Sequence, residues 1–224
     1  MLYAKNSKNE NVDWWFIYKL PKHSDKNDDA GYDYLYYDEF SKELKLSNNL
    51  LNKETNPLYY SLKKNINPKD PNCGYIIYND EHLESRTGSS SKGHCKGVLI
   101  FNKKEDSAVL LSHSIPRFPD IHNFHIQEPQ SLNGQSLICI TLKDFKTANM
   151  LAAQMLQQQN PQILKESFLP SNINQSDALY DFYHQKIQES KIPSSIKFES
   201  SKGNQFQLIA KSKLWKKDFW IDLV

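Results

Sequence analysis

The sequence predicts an α/β protein built as a layered sandwich, in which helices flank a mixed β-sheet. Six short segments are rich in aromatic and β-branched residues and are bounded by Pro, Gly, Asn or Asp, which is typical of strands. They are residues 14–20, 32–37, 75–78, 97–101, 108–113 and 136–141. Residues 97–112 predict a hairpin with a charged loop, and its nearly continuous apolar strands predict burial on both faces.

Helical spacing of apolar residues appears in the second half of the chain. One helix is predicted to begin after Asp144, a suitable N-cap, and to stop at Asn160 and Pro161. A second is predicted over residues 177–189, with one apolar stripe. Residues 195–199, 205–210 and 219–223 again have the composition of strands. We expect one domain over residues 1–224, with residues 1–11 disordered and a mobile surface loop at residues 81–93.

The overall charge does not indicate nucleic-acid binding. The chain has 28 basic and 26 acidic residues and a net charge of +2, so any contact with DNA must come from a local patch. The sequence has no apolar run of transmembrane length, and its start lacks the hydrophobic segment of a signal peptide. We therefore expect no membrane association, and either a cytosolic protein or one that begins after a removed leader. Three cysteines allow at most one internal disulfide.

The sharpest candidate for chemistry is the run Gly-His-Cys-Lys-Gly at residues 93–97. On a strand, residues two apart face the same side, so His94 and Lys96 would project together while Cys95 points away. The imidazole could attack phosphorus as a covalent nucleophile, and the ammonium could hold a nonbridging oxygen. Taken alone, the pattern also fits a surface His and Lys at the start of a strand.

A second candidate is His113, at the start of the run His-Ser-Ile-Pro-Arg-Phe-Pro. It follows the next strand of the same predicted hairpin, so it can return to the neighbourhood of His94. Two interpretations are open: an auxiliary functional histidine, or a histidine satisfied by the backbone of a loop made rigid by proline.

Together, these runs resemble the deoxyribonuclease II family. Seven blocks occur in family order: residues 12–21 (VDWWFIYKLP), 32–38 (YDYLYYD), 56–62 (NPLYYSL), 78–80 (YND), 93–99 (GHCKGVL), 113–119 (HSIPRFP) and 134–139 (GQSLIC). As a set they are specific, whereas residues 206–220 match more loosely.

The resemblance implies a phospholipase D-like fold and an endonuclease that cuts DNA without a metal or other cofactor, favours acid pH and leaves 3′-phosphate ends. It implies catalytic roles for His94, Lys96 and His113, with one histidine forming a phosphohistidine. By the same resemblance, Asn79, Ser114 and Arg117 are expected to bind the DNA substrate. The family is typically lysosomal or secreted.

One departure from the family bears on activity. The family pairs two H-x-K motifs, whereas the other literal match here, residues 184–186, lies in the second predicted helix, where residues two apart point about 200° from each other. Three explanations are open: the chain is a fragment, a half-protein whose homodimer completes the site, or an inactive remnant that binds DNA or phosphate. A phospholipase D-type lipid hydrolase is disfavoured, because Phe101 stands where that pattern has a carboxylate.

Overall fold

The computed structural model describes residues 1–23, 29–67, 69–81, 92–124 and 126–222, and its centre is a seven-stranded sheet. The strands, in spatial order, are β5 (Lys45–Leu46), β4 (Tyr34–Asp38), β3 (Trp14–Lys19), β9 (Gln135–Leu142), β8 (Ser107–His113), β7 (Gly97–Asn102) and β6 (Cys73–Tyr78). The six predicted strands are confirmed, with ends that differ by two residues at most.

The sheet is antiparallel at each of its six strand interfaces, which corrects the expectation of a mixed sheet. Strands β6 to β9 are neighbours in the same order as in the chain. Antiparallel neighbours can be joined by a short turn, as β7 and β8 are, whereas parallel strands need a long crossover. The predicted hairpin is confirmed, with Gly97 opposite Ser112.

Both faces of the sheet are covered, which confirms the layered α/β arrangement. One core contains helix α1 (Pro57–Asn65), and the other contains α2 (Phe145–Gln158) and α3 (Ala178–Tyr183). Alternate residues of β7 enter opposite cores, with Val98 on the α1 side and Leu99 on the α2 side. This alternation explains why the strand is apolar throughout.

Helix α2 begins as predicted. The Asp144 carboxylate accepts a hydrogen bond from the backbone N–H of Thr147 at 2.7 Å. Helix α1 was not predicted, although its start has a recognisable signal: Asn56 caps the backbone N–H of Tyr59 at 2.9 Å, and Pro57 is the first helical residue.

The N-terminus corrects another expectation, because residues 1–11 are ordered. Strand β1 (Ala4–Lys5) pairs with β2 (Asn11–Val12), and Leu2 and Ala4 are buried in the α1-side core. The backbone N–H of Ala4 also donates to the Thr141 hydroxyl at 2.9 Å. Burial and pairing of this short segment offset the entropy that ordering it costs.

Two predicted elements near the C-terminus are corrected, one in its length and one in its type. The second predicted helix is only six residues long, because the chain turns at His184 and Gln185 adopts a left-handed φ of 52°. Residues 219–222 form helix α4 (Phe219–Asp222) rather than a strand, and the Asp218 carboxylate accepts from the backbone N–H groups of Trp220 and Ile221.

The two strands predicted at residues 195–199 and 205–210 are confirmed as β10 (Ser194–Glu199) and β11 (Gln205–Ala210). They form a separate hairpin that packs on α2. Asp13 fixes its turn by accepting hydrogen bonds from the side chains of Ser200, Ser201 and Asn204 and from the backbone of Lys202. Burial by itself would raise the pKa of Asp13, but these hydrogen bonds outweigh it and hold the pKa below its usual value. The link is therefore kept in mild acid.

Three further expectations concern the loop at residues 81–93, the cysteines and membrane association. The predicted mobile loop at residues 81–93 lies mostly outside the described residues, which lack 82–91. Cys73, Cys95 and Cys139 are free thiols. No helix in the described part of the chain has the length and apolar character that crossing a membrane requires.

Candidate functional site

Three adjacent strands bring the candidate residues to one edge of the sheet. Tyr78 at the end of β6 pairs with Gly97 at the start of β7, which in turn pairs with Ser112 near the end of β8. The residues that follow β6, precede β7 and end β8 therefore meet at this edge. They include Asp80, Lys96 and His113.

His94 and Lys96 converge by a different geometry from the one predicted. They precede β7 instead of lying on it, so strand alternation does not orient them. Both approach the carboxylate of Asp80: His94 Nε2 lies 3.7 Å from Oδ2, and Lys96 Nζ forms a close ion pair with Oδ1. The two side chains differ sharply in exposure, at 86% for His94 and 3% for Lys96. The His94 imidazole is therefore accessible to a ligand, whereas the Lys96 ammonium is buried and paired with the Asp80 carboxylate.

A cavity of about 380 Å³ opens in front of this cluster. Its walls include His94, Lys96, His113 and Ser114, together with Gln159 at the end of α2. Gly93, next to His94, lets the chain pass close to the end of α2, because a Cβ at this position would lie 1.5 Å from the carbonyl oxygen of Gln159. The volume falls in the usual range for small-ligand sites.

Cys95 lies between His94 and Lys96 in the chain, but its side chain packs against the α2-side core. It is partly buried against the α2-side core, and it also contributes to the cavity wall. Burial, reinforced by the nearby Asp80 carboxylate, raises the pKa of Cys95 to about 12. The side chain is therefore a neutral thiol at any pH at which the protein would work.

His113 is buried, and its ring is held in one tautomer. Nδ1 accepts a hydrogen bond from the backbone N–H of Ile115 at 3.1 Å, so the proton of the neutral ring lies on Nε2. Nε2 has no hydrogen-bond partner among the described residues. Burial, with a further contribution from Lys96, lowers the pKa of His113 to about 3. At pH 5 the ring is neutral, and its one N–H, on Nε2, is buried beside the cavity.

Asn79 was predicted to bind substrate, but its side chain is used elsewhere. Its Nδ2 donates to the carbonyl oxygens of Ile115 and Phe118 at 3.1 and 3.0 Å, and its Oδ1 accepts from the backbone of Glu81. The side chain is fully buried. Asn79 therefore holds the loop after His113 in place, and its contact with substrate stays a prediction.

Ser114 and Arg117 were also predicted to bind substrate, and the structure places them at two different cavities. Ser114 lies on the wall of the His94 cavity, where its hydroxyl donates to Gln135 and accepts from the backbone of Ser136. Arg117 pairs with Glu81 at 3.1 Å and lines a different cavity of about 290 Å³. Of these two residues, only Ser114 therefore lies at the same cavity as His94, Lys96 and His113.

The loop that follows His113 is also tied down at its far end. Lys19, at the end of β3, is completely buried, and its Nζ donates to the carbonyls of Leu20, Gly31 and Ser131 at 2.8 Å each. A buried ammonium requires such partners. This link holds Ser131 beside the end of β3, while Ile115, Phe118 and Phe124 are buried in the α1-side core.

The second H-x-K match does not form a site of this kind. The His184 ring packs against Tyr180, with centroids 4.3 Å apart, while Lys186 Nζ pairs with Asp181 at 2.9 Å. Within the described residues, no group of three or more His, Cys, Asp or Glu side chains could hold a metal ion.

Asp80 is the site residue that sequence reasoning missed. It lies in the Tyr-Asn-Asp block at residues 78–80, but nothing local to that block indicates a contact with His94 and Lys96. The contact arises because β6 and β7 pair, and only the register of the sheet shows it.

Comparison with known proteins places these features in context. Residues 4–224 match the family described as deoxyribonuclease II. "Putative deoxyribonuclease-2" of Burkholderia thailandensis is 35% identical over 230 residues, covering 98% of this chain and 63% of that protein. Cell death-related nuclease 6 of Caenorhabditis elegans is 32% identical, covering 99% of this chain and 59% of its own length. Deoxyribonuclease-2-beta of Homo sapiens is 31% identical, with 97% and 61% covered. The chain thus spans about three fifths of the length of these relatives.

Proposed function

Because this chain belongs to the deoxyribonuclease II family, we propose that it provides the nucleophile of a metal-independent acid endonuclease that hydrolyses DNA and leaves 3′-phosphate ends. The observation that carries the proposal is the cluster of His94, Lys96 and His113 around one cavity, with Asp80 behind it. The names of the Burkholderia thailandensis and Homo sapiens relatives, both deoxyribonucleases, add support for DNA as the substrate. By the same family resemblance, we propose a lysosomal or secreted protein.

The proposed reaction has two steps. In the first, the lone pair of an imidazole nitrogen of His94 attacks phosphorus, a P–N bond forms, and the bond from phosphorus to the 5′-oxygen of the next nucleotide breaks. In the second, water attacks the phosphohistidine, the P–N bond breaks, and a 3′-phosphate leaves. Each step moves one electron pair to the leaving atom, and no oxidant or reductant takes part.

Asp80 prepares His94 for this attack. It faces Nε2, so it favours a proton on that nitrogen and leaves the lone pair of Nδ1 available. The separation of 3.7 Å is longer than a hydrogen bond, and a small rotation of the exposed ring would close it. Asp80 also holds the buried Lys96 side chain in place through their ion pair.

Lys96 and His113 supply the stabilisation of the developing negative charge. The Lys96 ammonium, on the cavity wall, offsets charge on the nonbridging oxygens, and the neutral His113 ring donates its Nε2–H to one of them. Because its pKa is about 3, His113 is a hydrogen-bond donor at pH 5 rather than a charged acid. The proton that the leaving 5′-oxygen needs must come from another group. We propose that a second copy of the chain provides it, which gives the homodimer a role.

Plasmid nicking at about pH 5 in the presence of a chelator tests the proposed function. We expect nicking by the chain, and a loss of at least a hundredfold in His94→Ala. His122→Ala is the matched control, because His122 is exposed and lies outside the cavity. Nicking that survives His94→Ala contradicts the site assignment. Failure of the unaltered chain to nick, together with intact DNA binding, favours the alternative of an inactive DNA-binding remnant.

A further inference from the structure

A second, smaller cavity continues from the first on the other side of His94. It has a volume of about 220 Å³ and shares His94 and Gln159 with the first cavity. Three lysines, Lys92, Lys211 and Lys213, contribute to its walls, together with one carboxylate, Glu189. Three positive charges against one negative charge leave an excess of two in a chain whose total is only +2.

The lysines of this cavity belong to a larger basic segment. Residues 211–217 read Lys-Ser-Lys-Leu-Trp-Lys-Lys and contain four lysines and no acidic residue. The segment directly follows β11 and begins with a short 3-10 helix (Lys213–Trp215) capped by the Ser212 hydroxyl. It is therefore a defined local structure beside His94 rather than a flexible basic tail.

Contacts within the segment restrain the side chains of Lys211 and Lys217. Lys211 Nζ donates to the carbonyl of Lys217 at 2.7 Å, and Trp215 lies between Lys211 and Lys217, with their Nζ atoms 5.7 and 5.9 Å from its centroid. Such cation–π contacts restrain lysine side chains that would otherwise spread apart. The restraint lowers the entropy that an anion must overcome to order them.

The single carboxylate of Glu189 does not neutralise the three lysines of this cavity. Lys213 Nζ lies 4.0 Å from Glu189, the limit of an ion pair, and the Lys213 side chain is 63% exposed. On the other wall, Lys92 Nζ donates to uncharged groups, the side-chain oxygens of Gln185 at 3.2 Å and Asn160 at 3.5 Å. Positive charge thus remains available to a ligand along a path that ends at His94.

We propose that Lys92, Lys211 and Lys213 form a track that binds the phosphates of the DNA strand flanking the scissile phosphate. The inference rests on the proposed function for its substrate class and adds the direction in which the strand leaves the catalytic cavity. Ammonium groups on flexible stems suit phosphates as point charges, without sequence preference. The track also supplies the local basic patch that the balanced overall charge requires.

Binding of a fluorescein-labelled single-stranded 20-mer, followed by anisotropy over a range of salt concentrations, tests the track. All proteins carry His94→Ala, so that cleavage does not interfere. Each phosphate neutralised by a lysine contributes about 0.7 to the slope of log affinity against log salt. The triple variant Lys92→Gln/Lys211→Gln/Lys213→Gln should therefore lose roughly 2 from that slope and bind more than tenfold more weakly at low salt.

A matched control separates this site from a general loss of charge. Lys63, Lys64 and Lys69 are three exposed lysines that line a different cavity beside the aromatic ring of Phe124. The control triple variant to Gln should keep the slope within about 0.5 of the parent. The Arg triple variant at positions 92, 211 and 213 keeps the charge and should restore the slope, which guards against a folding defect in the Gln variant.

The outcomes distinguish the track from the proposed function. Equal losses in both Gln triple variants, no loss in either, or no DNA binding by the parent would overturn the track. Loss of binding to phosphatidylserine vesicles without loss of binding to DNA would overturn it as well, in favour of a membrane surface. If the His94-intact chain fails to nick DNA but the slope changes as expected, the track stands and the proposed function fails. If the His94-intact chain nicks DNA but the Gln variant at positions 92, 211 and 213 has the same salt slope as the parent, the proposed function stands and the track fails.

Discussion

The ammonium of Lys96 is buried against the carboxylate of Asp80, which also faces His94. One carboxylate thus serves two cationic or potentially cationic groups, one buried and one exposed. Removal of a partner from a buried ion pair leaves an uncompensated charge, which is far more costly than loss of a surface pair. Asp80 therefore links the stability of this edge of the sheet to the orientation of the nucleophile.

The first prediction concerns Asp80→Asn. The variant should lose about 3 kcal/mol of unfolding free energy, because the Lys96 charge stays buried without its partner. If the chain nicks DNA, its kcat should fall by about 10²-fold or more, since His94 loses the group that orients it. Urea denaturation and plasmid nicking measure the two effects.

Asp181→Asn is the control for this prediction. Asp181 pairs with Lys186, whose side chain is 52% exposed, so its loss should cost less than about 1 kcal/mol. A similar small cost for Asp80→Asn would show that the Lys96 ion pair is not the structural link described above.

The second prediction concerns pH and His113. Burial and Lys96 lower its pKa in the folded protein to about 3, whereas an unfolded histidine titrates near 6.5. Between these values the unfolded chain binds the extra proton and the folded chain does not, so stability falls as the pH falls through this window. This single group should contribute a slope of about 1.4 kcal/mol per pH unit.

Comparison with His113→Asn isolates that slope, because the other histidines are common to both proteins. Unfolding free energies from urea titrations at pH 6, 5 and 4 should decline less steeply in the variant. Identical pH dependence in the two proteins would mean that His113 charges in the folded state, and it would then be available as a proton donor at pH 5.

Much of the sheet was predictable from the sequence, and the reason is local. The alternation of apolar residues into two cores makes β7 and β8 continuous apolar runs, which few other structures explain. Short helices were harder to predict. Helix α4 is only four residues long, and its apolar content predicts a strand because it carries no helical period at that length.

The candidate site was predictable only in part, for a different reason. His94, Lys96 and His113 stand in recognisable runs, and they do meet at one cavity. Asp80 and the lysines beyond residue 210 are brought to His94 by strand pairing and by the course of the chain after β11. Contacts of that sort depend on tertiary structure, which a single sequence does not display. The hydrogen bonds by which Asn79 holds the loop after His113 are hidden from the sequence for the same reason, since Ile115 and Phe118 lie 36 and 39 residues away in the chain.

The third prediction concerns Lys19, which ties together three segments through carbonyls. Lys19→Met keeps the aliphatic stem but leaves the carbonyls of Leu20, Gly31 and Ser131 without their charged donor. We expect a loss of about 3 kcal/mol in unfolding free energy. Lys42→Met, at an exposed position, should change it by less than about 0.5 kcal/mol. A Lys19→Met variant as stable as the parent would contradict the structural role of this ammonium.

The most direct test of the central claim is to trap the covalent intermediate. A labelled oligonucleotide is mixed with the chain at about pH 5 in chelator, quenched in alkali and separated under denaturing conditions, because phosphohistidine survives alkali and decays in acid. Mass spectrometry of the digested product should place the phosphoryl group, joined through the 3′-oxygen, on His94. The adduct should be absent in His94→Ala and present in His122→Ala. Cleavage without an adduct, or an adduct on any other residue, would contradict the assignment of His94 as the nucleophile.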